Sequence, residues 1–124
     1  MLLPEIGNQF VKEIFQGVES YANEKGYNII VSTTHGEDER RTEKFIDQLG
    51  HGLVDGMIFI PMIRDDYTQE IMRVQEWIEE RIPLVMIDIY FREVNCNFVV
   101  TDNTEGGYIV TKHLIENGYR RIAF

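Results

Sequence analysis

The sequence predicts an α/β domain built on a doubly wound parallel sheet. Three observations predict it. Short apolar runs at 28–32, 54–60, 83–88 and 98–100 are continuous rather than alternating, as strands buried on both faces are. Between them lie stretches with the 3-and-4 apolar rhythm of amphipathic helices. The 124 residues hold no internal repeat, low-complexity tract or flexible linker, so one layered domain accounts for the chain. Right-handed crossovers then place helices on both faces of the sheet.

Taken in order, Met1-Leu2-Leu3 is an apolar stub of a first strand, ended by Pro4. Val11, Ile14, Phe15, Val18, Tyr21 and Ala22 form the inward face of a first helix, with Asn8 as its N-cap and Gly26 at its C-terminal stop. Residues 28–32 read as the second strand. A polar loop at 33–37 leads to a second helix over about 38–48, with Phe45, Ile46 and Leu49 inward. The third strand, 54–60, is broken by Pro61. A third helix spans about 68–80, with Ile71, Val74, Trp77 and Ile78 as its buried stripe. The fourth strand, 83–88, ends on the Asp88 carboxylate; a loop at 90–97 leads to a buried fifth strand at 98–100. A last amphipathic helix, about 104–117, is closed by Gly118, and residues 121–124 begin another apolar strand. Gly106-Gly107 lies in the first turn of that helix and reads as an aid to close helix packing, since no G-x-G-x-x-G is present. Both ends read as cut: the first strand is a stub and the last one barely starts.

Composition narrows the function classes. Twenty-one acidic residues against 12 basic ones give a formal net charge of -9, the wrong sign for contact with DNA phosphates or anionic lipid. The pairs Arg40-Arg41 and Arg120-Arg121 read as solvated surface charge. Cys96 is the single cysteine, which rules out an intrachain disulfide and any cysteine-based metal cluster, and fits a reducing, cytoplasmic setting. No apolar run approaches a membrane span. No signal peptide opens the chain, an absence of little weight where the start reads as cut.

In an open α/β sheet, only residues just past the strands' C-terminal ends converge on one crevice. That filter selects Glu5 to Phe10, Pro61 to Asp66, Asp88 to Tyr90 and Thr101 to Asn103. Asp88 follows four apolar residues and emerges at a strand tip, where its carboxylate either accepts hydrogen bonds from ligand hydroxyl or amino groups or caps a loop amide. Asp102 and Asn103 either face the crevice or cap the following helix. Phe10 either stacks on a ligand ring or packs in the core. Catalytic patterns are thin: His35, His51 and His113 are scattered, no pair has metal-ligand spacing, and no G-x-S-x-G elbow occurs. Asp65-Asp66 does not reproduce a phospho-acceptor site, which wants its acidic pair near strand one and a Lys after the last strand. No enzyme and no cofactor is expected.

Several motifs carry a resemblance that spans nearly the whole chain. Leu3-Pro4 is followed by Asn8-Gln9-Phe10, then by Gly26-Tyr27-Asn28-Ile29-Ile30. Val54-Asp55-Gly56 and Ile82-Pro83-Leu84-Val85 open two strands. The most specific stretch is Asp102-Asn103-x-x-Gly106-Gly107, followed by His113-Leu114-Ile115-x-x-Gly118-Tyr119-Arg120-Arg121-Ile122-Ala123. The chain resembles the effector-binding core of the lac repressor/gal repressor family of bacterial transcription regulators. It departs in two places: mildly at Gly118-Tyr119, where the family usually has Gly-His, and at Asn8-Gln9-Phe10, where it has Asn-Pro-Phe-Phe, a change that bears on the shape of that wall. The resemblance implies a flavodoxin-like lobe, residues 1–120, of a two-lobed periplasmic-binding-protein-like core, with 121–124 as the first strand of a second lobe. It implies a cleft ligand, a sugar or sugar derivative, bound by Asn8, Gln9 and Phe10 on one wall and by Asp88 as hydroxyl acceptor. Ile60, Thr101 and Asp102 would line the floor. It also implies a homodimer that reaches DNA through an N-terminal helix-turn-helix outside this chain, with no membrane partner. A sugar-binding protein serving a transporter or receptor shares the fold and is the competing reading. A flavodoxin-like enzyme or receiver domain is the third, disfavoured by its missing motifs.

Overall fold

A computed structural model describes residues 1–34, 53–63 and 65–123. Five parallel strands, β1 (Leu2–Leu3), β2 (Ser32–Thr33), β3 (Met57–Phe59), β4 (Leu84–Ile87) and β5 (Asn97–Val99), form one sheet in the order β2-β1-β3-β4-β5. Register is fixed by Leu2 against both Ser32 and Phe59, Phe59 against Met86, and Met86 against Phe98. The chain moves from β1 to β2 on one side and returns to β3 on the other, so the order reverses between β1 and β3. A ligand crevice opens at such a switch point, outside the carboxyl ends of the two strands.

The described helices are α1 (Gln9–Glu24), α2 (Thr68–Glu79) and α3 (Asn103–Glu116). The helix expected over 38–48 lies outside the described residues. Each helix stops in the same way. The residue two past the cap donates its N–H to a carbonyl five back: Tyr27 to Ala22, Ile82 to Trp77 and Tyr119 to Leu114, at 2.9, 3.0 and 3.1 Å. This closure needs a left-handed residue just before the donor. Gly26 and Gly118 supply it at φ 78° and 83°, while α2 uses Arg81 at φ 61°.

Side chains alternate across the sheet. Leu2, Met57, Phe59, Leu84 and Met86 face α2, where Val74 and Trp77 are fully buried and Phe59 meets the Trp77 ring edge-on, 5.4 Å between centroids. Phe91, from the β4–β5 connection, completes this larger core against Tyr67. Leu3, Val11 and Ile60 form a smaller core beneath α1, with Ile14, Val31 and Ile87 packed on it. Of the α1 residues expected inward, Tyr21 is exposed; its ring lies under the Lys25 ammonium, 5.2 Å away.

β3 and β4 are shorter than the apolar runs that hold them, and β2 takes in only the last residue of the run at 28–32. The last third of the chain departs furthest from expectation. β5 is exposed along its length rather than buried. α3 buries no residue; its apolar side chains Tyr108, Ile109, Val110 and Ile115 are exposed. They are spread around the helix at 100° per residue rather than gathered in one stripe, so no single docking presents them all to a sheet. Among the described residues, the sheet is therefore open on the α1 side across Ile58 and Val85. Gly106 and Gly107 serve no close packing here, since a Cβ on either would meet nothing within 4 Å. Residues 119–123 form no strand, because none of the described residues pairs with them.

Candidate functional site: the crevice at the C-terminal edge of the sheet

Pairing brings the predicted turns together. Leu2 pairs with Phe59 and accepts the Ile60 N–H at 3.0 Å, so residues 4–8 leave the sheet beside residues 61–63. β4 ends one strand further on, and the Asp88 N–H donates to the Val99 carbonyl at 3.0 Å, which ties residue 88 to the end of β5.

At the near wall, Asn8 is the α1 N-cap: its Oδ1 accepts the Phe10 N–H at 2.8 Å. Gln9 turns along the helix and donates to Glu13 at 2.8 Å. With the cap held in this way, Phe10 stands 46% exposed, outside both apolar cores. Core packing is thereby excluded for its ring, which is free to meet a ligand.

Asp88 sits at φ 71°, a conformation that costs most residues about 1–2 kcal/mol but that Asp tolerates better than others. The turn continues at once, with the Ile89 N–H donating to the Ile87 carbonyl at 2.9 Å. The half-buried carboxylate of Asp88 has no hydrogen-bond or ion-pair partner among the described residues. It caps no loop amide, so its acceptor capacity is unspent.

The floor differs from expectation. Ile60 is 2% exposed and belongs to the smaller core with Leu3 and Val11; it supports the crevice from beneath and does not face it. Its place follows from strand parity, which turns it under α1. Thr101 is exposed and its carbonyl accepts the Asn103 N–H at 2.9 Å. Asp102 is the N-cap of α3, its Oδ1 accepting the Glu105 N–H at 2.8 Å. One carboxylate oxygen is thus committed to the helix.

Two side chains that the motifs did not single out stand at the same edge. Ile6 and Ile63 are 60% and 80% exposed. Their positions past Pro4 and Pro61 were the only signal in the sequence, because an apolar residue after a strand reads equally well as core. Asp66, in the same turn as Ile63, accepts from the N–H and the hydroxyl of Thr68 at 2.9 and 2.5 Å, which holds its carboxyl below the usual carboxylate range. Tyr90 is stacked on Phe98, 4.2 Å between centroids and 11° between planes, so that ring is already engaged. Among the described residues no three His, Cys, Asp or Glu side chains are placed to hold a metal ion. No described helix is long and apolar enough to cross a membrane.

A family model described as periplasmic binding proteins and sugar binding domain of LacI family matches residues 1–124. The chain belongs to that family. It is 36% identical to the ribose operon repressor of Haemophilus influenzae over 124 residues, covering 98% of this chain and 35% of the repressor. It is 31% identical to the transcriptional repressor PurR of Aliivibrio fischeri, covering 99% of this chain and 35% of that protein. Among solved structures, a CelR–cellobiose complex superposes with a TM-score of 0.71 at 29% identity, over 98% of this chain and 38% of the other. The regulator CcpA of Lactococcus lactis has the same fold, with a TM-score of 0.75 over 98% of this chain and 43% of its own. The chain spans about a third of the length of the curated relatives it matches.

Proposed function

We propose that this chain is the effector-sensing lobe of a bacterial transcription regulator, and that it binds a small sugar-like molecule in a cleft closed by a second lobe. The observation that carries the reading is the Asp88 carboxylate, unbonded among the described residues at the crevice of a domain from the LacI-type sugar-binding family. Asp88 accepts ligand hydroxyls, Phe10 supplies an apolar wall held in place by the Asn8 cap, and Asn8, Gln9, Thr101 and Asp102 shape the rim. Ligand binding biases the two lobes toward one arrangement, which reaches DNA through a separate reading head. The two curated relatives named above are repressors, which supports a cytoplasmic, non-catalytic regulator over a transporter's binding protein; on this reading it works as a homodimer. On this reading the first lobe extends to residue 120 at most. That α3 buries nothing on the sheet supports a change of lobe as early as residues 101–103.

Calorimetry on the full-length protein against a panel of sugars tests the proposal. One or more binders, lost on Asp88→Ala, are expected; a panel without a binder would count against it. A helix-turn-helix encoded upstream supports the regulator, whereas a secretory signal there supports the transport protein.

A further inference from the structure

The stop of α3 carries chemistry that the ligand crevice does not use. Of the seven asparagines in the chain, Asn117 alone precedes a glycine. Asparagine is among the thermally labile residues, and its successor sets how labile. The backbone nitrogen of the next residue attacks the side-chain amide carbon, and glycine alone leaves that nitrogen unshielded by a Cβ. Asn117 and Gly118 are both exposed, so solvent reaches the pair. In the reaction, the Gly118 nitrogen bonds to the Asn117 Cγ, the Cγ–Nδ2 bond breaks, and Nδ2 departs as ammonia with the proton that Gly118 gives up. The resulting succinimide takes up water. Opening at one carbonyl gives aspartate; opening at the other gives isoaspartate, whose main chain runs through the side-chain carbons.

The folded geometry opposes each part of this step. The Gly118 N–H donates to the Ile115 carbonyl at 2.9 Å, so its proton is held. Asn117 Nδ2 donates to the His113 carbonyl at 2.8 Å, which draws the side-chain amide back along the helix. At ψ 11° the Gly118 nitrogen is turned away from the Asn117 Cβ, which ring closure needs it nearly to eclipse. The Tyr119 N–H, bonded to the Leu114 carbonyl at 3.1 Å, completes the closure. These bonds are local, spanning at most five residues, and residues 119–123 pair with no strand among the described residues. The closure is therefore only as stable as the last turn of α3, and helix ends open far more readily than a whole domain unfolds.

We propose that Asn117 is a site of spontaneous deamidation, closed in the folded chain and open to reaction each time the α3 end opens. Conversion runs one way. The new carboxylate stands at the negative end of the helix dipole and lacks the amide N–H that bonded His113. Isoaspartate also lengthens the backbone, so the bond from Tyr119 to Leu114 cannot re-form in register. The segment from Gly118 onward is thereby released from α3.

The test follows the peptide holding Asn117 by mass spectrometry, in full-length protein incubated in mildly alkaline buffer with and without urea. Conversion of the Asn117 amide to a carboxylate should be at least about ten-fold slower in the folded protein, because the reaction tracks the population of the open form. Glu116→Gly weakens the last turn without touching the reacting atoms; Glu116 is exposed, and its ion pair with Lys112 is long at 3.9 Å. It should speed conversion about three- to five-fold in buffer and leave the rate in urea as it was. Equal rates in buffer and urea, or no acceleration in Glu116→Gly, would overturn the gating by the helix end. Absence of conversion at Asn117 even in urea would overturn the site itself.

Discussion

Asp88 carries two physical demands in one residue, and substitutions separate them. Its backbone is left-handed at φ 71° and its carboxylate is unbonded among the described residues. Asp88→Asn keeps the size of the side chain and a comparable tolerance for that backbone, but removes the charge. A hydrogen bond to a charged group contributes about 1.5–3 kcal/mol, so Asn should weaken effector binding about ten- to a hundred-fold. Folding stability should barely change, because no described group loses a partner. Asp88→Ala adds a backbone penalty, because Ala in the left-handed region costs roughly 1–2 kcal/mol and has no short polar side chain to relieve it. Asp88→Gly removes that penalty while still abolishing the ligand contact. The expected order of urea midpoints is therefore Gly and Asn near the parent and Ala lowest. All three variants should lose affinity in calorimetry on the full-length protein. Unchanged affinity in Asp88→Asn would end the assignment of Asp88 to the ligand, and Ala as stable as Asn would refute the backbone argument.

Other substitutions probe the frame that holds the crevice. Arg81 closes α2 at φ 61° where the other two described helices use glycine, so Arg81→Gly should raise stability by about 0.5–1 kcal/mol in urea unfolding. Trp77 is fully buried with its indole N–H unbonded, so Trp77→Phe discards an orphan donor along with some volume. It should cost about 1 kcal/mol against about 3–5 for Trp77→Ala; equal losses would mean that the N–H has a partner in solution. The Thr68 bonds lower the Asp66 carboxyl, so their contribution is present above the ordinary value of 3.8 and is lost as pH falls through the lowered value. Thr68→Val should flatten the acid limb of the urea midpoint against pH below about 4, and superimposable profiles would refute the link. Cys96 has its thiol pushed up by burial, so it should react with a disulfide reagent at pH 8 more slowly than a free thiol does.

How much was legible follows from the range of each interaction. The α1 start could be read because Asn8 caps an amide two residues away, and the Gly26 and Gly118 stops because their closure spans five residues. The stripe Ile71, Val74, Trp77 and Ile78 was legible for the same reason: one helical period sets it, and all four are buried or packed on the larger core. Asp88 was legible as a strand tip. Residues whose surroundings depend on a distant element were not. Whether Phe10 is wall or core, whether Ile60 faces the crevice, and whether Gly106-Gly107 packs closely all depend on which segment arrives opposite. The spread of apolar residues around α3 was visible in the sequence, yet its glycine stop and apolar content made it look like a docked helix.

Apolar periodicity and capping chemistry are local, and they set the element types, the parallel α/β class and the family motifs along this chain. Strand order and packing are not local. The sheet order β2-β1-β3-β4-β5 put the turns after β1 and β3 side by side, and with them Ile6, Phe10 and Ile63. The same packing left Asp88 without a side-chain partner among the described residues, spent Asp102 on a helix cap and buried Ile60. A side chain's chemistry is written in its own residue, but its availability depends on neighbours that only folding brings within a few ångströms.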